Sequence, residues 1–435
     1  MPHQYKECTV YGWRPEAREG ATLTTIPAHT WKGKWIEERT YMFGGLSRSL
    51  YSEISYITTN EFWNEYNWTL QDSSKPKYKR YGHTANTFEG RLIITGGARM
   101  FNRDEKRREC LNDTIVYTPA NSSWRELFSG GSYYEPRRYH ASCVFGNYII
   151  LHGGLNERDK WLDSLYALNL SGITELEAES DREFRWLNIN TENQGLGAIA
   201  YHTSNAVLDV DHYRTIRLVT LTSMADNKSP QSKIPYEGIY YFGGRNALGA
   251  NNDLYILRLG RKPIEWIKPE IKGKKPPPRY AHSADYIAEK GILIVFGGRN
   301  DRGSETTGTL CMNDIWILSI ETLEWTEWKN PELIDPQPRY SHATAICGKS
   351  IIIFGGLGES SYCSSNLYEI SMIKKSDIGK KLKKHKVEMK KESITGQLTR
   401  KLKMISLKKF STNNLKIFTR LILGGLLNLD IKSNN

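Results

Sequence analysis

Short apolar runs, each closed by two glycines, recur along the chain and set its pattern. TYMF, RLIIT, NYIILH, IYYF, GILIVF and SIIIF lead into Gly44-Gly45, Gly96-Gly97, Gly153-Gly154, Gly243-Gly244, Gly297-Gly298 and Gly355-Gly356. Brief runs rich in β-branched and aromatic residues, bounded by glycine, predict buried strands. The first glycines of successive pairs stand 52, 57, 90, 54 and 58 residues apart. A period near ~50 residues indicates a repeated β unit. Paired glycines at a strand end admit positive φ and let a neighbouring sheet's ring approach where a Cβ would clash.

Each repeat divides into four predicted strands. In the second they are HTANTF (83–88), RLIIT, TIVYT (114–118) and SWRELF (123–128). In the fifth they are HSADYI (282–287), ILIVF (292–296), DIWILS (314–319) and EWTEW (324–328). Third strands open on Asn112-Asp113, Asn252-Asp253 and Asn313-Asp314, short polar side chains suited to a turn. Fourth strands carry Trp124, Trp186, Trp266 and Trp325, with Trp63 or Trp68 in the first repeat. Insertions at 171–184 and about 208–237 lengthen two inter-strand links, and the second accounts for the step of 90. The sixth repeat ends at NLYEIS (366–371) without a tryptophan strand, whereas CTVYGW (8–13) stands alone before the first repeat. An open sheet edge invites aggregation. The N-terminal segment ending at Trp13 is therefore predicted to complete the last sheet and close a ring of six.

The glycine pairs, the strand-three aromatics Tyr117, Tyr166, Tyr255, Trp316 and Tyr368, and the strand-four tryptophans together resemble the kelch repeat family. The resemblance covers about residues 8–371. It departs at Ile199, where other copies have arginine, and in the sixth repeat's missing tryptophan strand. It implies a six- or seven-bladed β-propeller of a kind that mostly binds other proteins. The expected fold is all-β: six blades over 8–371, closed by an N-terminal strand and followed by a basic, partly helical tail at 372–435.

Charge sharpens that division. The net +12 of the chain is concentrated in residues 372–435, with 17 Lys and Arg against 4 Asp and Glu; the repeat body carries 43 against 44. In the tail, Ile394, Leu398, Leu402 and Ile405 fall at helical spacing, and RLILGG (420–425) mimics the strand-and-glycine signal without its companions. The six cysteines show no Cys-x-x-Cys spacing, which fits reduced thiols inside a cell. MPHQYKECTV lacks the apolar core of a secretory signal, and no run of about 18 apolar residues suggests a membrane-spanning helix. A cytoplasmic protein is the expectation, with association with the cytoskeleton as a variant of it.

Candidate binding residues lie where the inner strands begin. Arg80, Arg137, Arg279 and Arg339 each precede a histidine by three residues. Placed round one opening, they would form a positive mouth for acidic peptide side chains; the competing reading is that they hydrogen-bond between blades. The histidines, one at the same repeat position each time, are expected to be structural. Arg99, Arg245 and Arg299 share the post-glycine position, and Arg103 lies in the long, basic loop ARMFNRDEKRREC. No cluster of metal-ligating or nucleophilic residues and no phosphate loop is readable, so no catalytic residue, metal or cofactor is assigned. The sequence thus predicts a protein-binding scaffold without a small-molecule substrate. Its basic tail has three readings: a solvated or partly helical extension with no dedicated role, a contact for an acidic surface such as a filament or microtubule, or a contact for an anionic membrane or nucleic acid. The rivals are a cytoskeletal or ciliary component, a ubiquitin-ligase substrate adaptor, and a metal-dependent oxidase of kelch fold.

Overall fold

The apolar runs become the second strands of six antiparallel sheets that succeed one another around an axis. A computed structural model describes residues 2 and 4–372, apart from 61–64, 73–74, 174–182, 209–233, 261–262, 303–309, 330–336 and 361–364. Trp63, most of both insertions and the tail from 373 onward, with its predicted helical stripes, lie outside the described residues. Blade 2 shows the scheme: Thr84–Phe88 innermost, then Arg91–Thr95, Thr114–Thr118 and Ser123–Glu126. Strand limits differ from the predicted ones by a residue or two. The inner strands stand side by side around the axis, Thr22–Ile26 lying between Thr84–Phe88 and Ala343–Cys347.

Six apolar clusters fill the junctions between consecutive blades. The outer-strand aromatic of one blade packs against the residue preceding the glycine pair of the blade before: Trp124 on Phe43 at 5.5 Å, Trp325 on Phe242 at 5.0 Å, Trp68 on Phe354 at 5.6 Å between ring centroids. Each such ring buries a large apolar area at its junction.

The ring closes as predicted in kind but with a different strand. Gln4–Glu7 pairs antiparallel with Leu367–Ser371 and becomes the outer strand of blade 6. Its Tyr5, buried, stacks on Tyr368 and faces Phe296, taking the place that tryptophan holds elsewhere. Lys6 meets the buried Glu369 at 3.0 Å, and the Tyr66 hydroxyl of blade 1 donates to the same carboxylate. One acid thus ties the N-terminal strand, the last blade and the first. Beyond Cys8, whose amide donates to the Leu367 carbonyl of blade 6 at 2.8 Å, the predicted segment does not close that blade. Thr9–Gly12 runs parallel along the outer strand of blade 1, and the Trp13 amide bonds to the Trp68 carbonyl at 3.0 Å. Blades 3 and 5 receive the same kind of parallel fifth strand, Ser129–Gly131 and Lys272–Gly273, from the links that enter them.

The glycine pairs interlock neighbouring blades. A Cβ on Gly153 would lie 2.3 Å from the Ile199 carbonyl oxygen and 2.8 Å from His202 of the next blade; one on Gly154 would meet His140 of its own blade at 3.0 Å. With φ of +70° and +104°, neither position suits an L side chain. The ring predicted to press on the glycines is therefore an imidazole.

Candidate partner-binding face

The segment leading into each inner strand and the segment after each glycine pair lie side by side on one face. Short bridges join them blade by blade: Glu19 to Leu46, Tyr81 to Ala98, Arg138 to Leu155, Ala200 to Arg245, Tyr280 to Arg299 and Tyr340 to Leu357. At the centre, the residues before the histidine positions form a closed hydrogen-bonded hoop. The amides of Gly20, Gly82, Tyr139, Tyr201, Ala281 and Ser341 each donate to the carbonyl of the preceding member, and Gly20 donates to Ser341, at 2.7 to 3.0 Å. All six have positive φ.

Arg80, Arg137, Arg279 and Arg339 do not reach this face's solvent. Their side chains are buried, with residue exposures of 0, 0, 0 and 2%. Each Nε donates to the carbonyl two residues earlier, and one terminal nitrogen donates to the first glycine's carbonyl in its own blade. Arg80 grips Asp113 with two bonds at 2.6 and 2.7 Å, and Arg279 grips Asp314 at 2.7 and 2.8 Å. A planar guanidinium with five donors matches a carboxylate and two carbonyls at once. Against the upward push of burial, the Arg279 charge holds the Asp314 carboxyl below its usual range. Arg18, which the spacing did not single out, makes the same contacts with Gly44 and Glu53. Ile199 fills the corresponding slot in blade 4, and the acid freed there, Asp253, pairs with Lys268 at 2.9 Å. Arginine at this position is thus a strut within the blade, and the positive mouth it was predicted to form is absent.

The histidines are struts as well. Nε2 of His83, His140, His282 and His342 bonds to Thr22, Thr84, Thr203 and Ser283 of the preceding blade at 2.9 to 3.3 Å. Blade 3 offers Ala141 where the hydroxyl should be, and His202 turns instead to His152 Nδ1 at 3.1 Å. Burial keeps all six imidazoles uncharged, with the pKa of His140, His152 and His342 lowered to about 3.

The post-glycine arginines remain outside. Arg99 pairs with Glu109 at 3.2 Å, while Arg245 and Arg299 share Asp301 at 3.3 and 2.9 Å and lie over Tyr280 and Tyr340. The long basic loop forms a ribbon, Ala98–Asn102 against Arg107–Cys110. Arg103 and Lys106 at its tip are exposed and make no ion pair among the described residues. Met100 and Phe101, half exposed, stand beside them. A second ribbon, Arg245–Asn246 with Gly249–Ala250, exposes Leu248. Near the hoop, Tyr139 and Tyr201 stack at 4.1 Å, flanked by Tyr81 and Tyr280. Burial raises the Glu19 carboxyl's pKa there, an effect the Arg108 charge opposes.

Among the described residues no group of three His, Cys, Asp or Glu side chains comes together to hold a metal ion, and no helix is long and apolar enough to cross a membrane. Cys8, Cys110, Cys143, Cys311 and Cys347 are free thiols.

Comparison with known proteins agrees with the geometry. The profile of the KLHDC2/KLHL20/DRC7 Kelch-repeats domain matches residues 2–212 and 234–398. Host cell factor homolog hcf-1 of Caenorhabditis elegans is 26% identical over 74% of this chain, which spans 36% of that protein. Dynein regulatory complex subunit 7 of Chlamydomonas reinhardtii is 38% identical over 24% of the chain, and Rho GTPase-activating protein gacHH of Dictyostelium discoideum 34% over 27%; the matches cover 8% and 7% of those proteins. The solved structure of YjhT superposes with a TM-score of 0.54 at 15% identity, over 80% of this chain and 93% of that one. With six glycine-paired blades and a profile match over most of its length, the chain belongs to the kelch-repeat family.

Proposed function

We propose that this chain is a non-enzymatic protein-binding scaffold that captures a partner on the face made by the lead-in and post-glycine segments. One observation carries the reading. The ribbon at 98–110 presents unpaired Arg103 and Lys106 beside exposed Met100 and Phe101 on a rigid, multiply tied base. Cations next to half-exposed apolar side chains suit a peptide that combines acidic and apolar residues. Loops on a fixed scaffold can offer this without cost to the core. Arg99, Arg245 and Arg299 extend the positive rim, each already leaning on an acid of its own. The test is affinity capture from cells with Arg103→Glu and Lys106→Glu combined. Loss of the principal partners with an unchanged melting curve supports the face, and undiminished capture rejects it.

The stretch similar to a dynein regulatory complex subunit favours a cytoskeletal partner as a second reading. On this reading the protein would act in the cytoplasm, and the basic residues 372–435 would touch an acidic filament surface. Co-sedimentation with microtubules, with and without that segment, decides it: equal pelleting removes the tail from the account.

A further inference from the structure

The inner strands of all six blades line a cavity of about 290 Å³ along the axis. Its wall mixes two chemistries, hydroxyls such as those of Thr22, Thr84 and Thr203 and methyl groups such as those of Ala85, Ala141 and Ala284. One lining side chain carries a formal charge, Asp285 on the inner strand of blade 5. Its Oδ2 accepts a hydrogen bond from Thr344 Oγ1 at 2.7 Å, and among the described residues it makes no ion pair.

Among the described residues nothing else lining the cavity balances that carboxylate. The imidazoles at the cavity's upper end are uncharged, their Nε2 atoms engaged with hydroxyls or with His152. The arginines of the lead-in segments point into the blades, where Arg80 and Arg279 are held by Asp113 and Asp314. Asp285 is part-buried in the cavity wall, where a carboxylate without a counter-charge is costly, and the surrounding protein pushes its pKa up to about 6. An anion would be repelled, and a neutral ligand would leave the charge uncompensated. A bare alkali ion would ignore the methyl wall and leave room for several waters, each needing roughly 30 Å³.

We propose that the axial cavity binds a small alkylammonium ion, its ammonium group on Asp285 and the neighbouring hydroxyl oxygens and its alkyl part against the alanines. This site is separate from the loop face and does not depend on the identity of any protein partner. The test is isothermal titration of the full chain with n-butylammonium chloride at pH 7.5 and constant ionic strength, beside n-butanol and sodium chloride. The expected result is saturable binding of one butylammonium per chain and none of the other two. Asp285→Asn, with unchanged circular dichroism, weakens binding at least tenfold. Thr344→Val, which keeps the carboxylate and loses its orienting hydroxyl, weakens it about threefold. On the unmutated protein, affinity falls by about half from pH 7.5 to pH 6 as the carboxyl protonates. No saturable heat with butylammonium, equal binding of butanol or sodium, or full affinity in Asp285→Asn overturns the proposal.

Discussion

Six buried, uncharged imidazoles make this propeller sensitive to acid, and the size of the effect follows from their surroundings. His83, His140, His152, His202, His282 and His342 are all less than 9% exposed and held between blades. An unfolded histidine titrates near ~6.5, whereas burial depresses the folded values, to about 3 for His140, His152 and His342. The sign is that of a base whose folded pKa is lowered: stability is intact above the unfolded value and lost as pH falls below it, because the unfolded chain takes up protons the native one refuses. At pH 5 each of His140, His152 and His342 costs about 2 kcal/mol and the three together about 6, a large share of the ~5–15 kcal/mol that holds a typical domain together, and His83, His202 and His282 act in the same direction. Asp285 works in the other direction. Its raised pKa of about 6 returns at most about 3 kcal/mol between pH 6 and pH 4. Unfolding is therefore expected as the pH falls towards 5, with a net uptake of several protons per chain. Tryptophan fluorescence and near-ultraviolet circular dichroism across pH 4–8 follow the transition, and the slope of urea-derived stability against pH gives the proton count. A native near-ultraviolet spectrum retained at pH 4 would refute the reasoning.

Two further outcomes test the struts. Gly153→Ala places a Cβ 2.3 Å from the Ile199 carbonyl at positive φ and is expected to cost more than about 2 kcal/mol, whereas Gly33→Ala, with nothing within 4 Å, bears only the backbone strain of roughly 1–2 kcal/mol; urea denaturation compares them, and equal losses contradict the interlock. Arg279→Ala leaves Asp314 buried without its bidentate partner and is expected to destabilise by about 3–5 kcal/mol in the same assay, while a change below about 1 kcal/mol denies the strut its role.

What could be read from the sequence was what the backbone itself requires. The glycine pairs are legible because positive φ and close approach exclude other residues, so six copies declare six blades. Closure was legible as a need, but the strand was misplaced because tryptophan served as its marker. Tyr5 fills that slot with a smaller aromatic ring, in a four-residue strand with little alternation of its own. Two of the three parallel fifth strands left no trace: Ser129–Gly131 and Lys272–Gly273 pair through two or three residues each and carry no apolar stripe. The arginines misled because arginine is normally a surface residue. Two signals did point inward. An acid, Asp113 or Asp314, opens the third strand of the same repeat, and Ile199 stands where arginine does in the other copies. An isoleucine substitutes for a charged residue only where water is absent. The free cations of the 98–110 ribbon were legible as a basic loop, but which of them lacked an acid depended on a fold around Glu109 and Glu157 that composition does not reveal.

The hoop of six amides has an electrical consequence. Peptide dipoles aligned along a helix add up to a field at its ends, but dipoles that follow one another round a circle return to their origin and cancel in the plane. In its own plane the opening of the propeller thus gains no net dipole from these six bonds. Substitutions in the surrounding loops can turn that rim from basic to acidic while every hoop bond stays in place, which frees the choice of binding partner from the demands of folding.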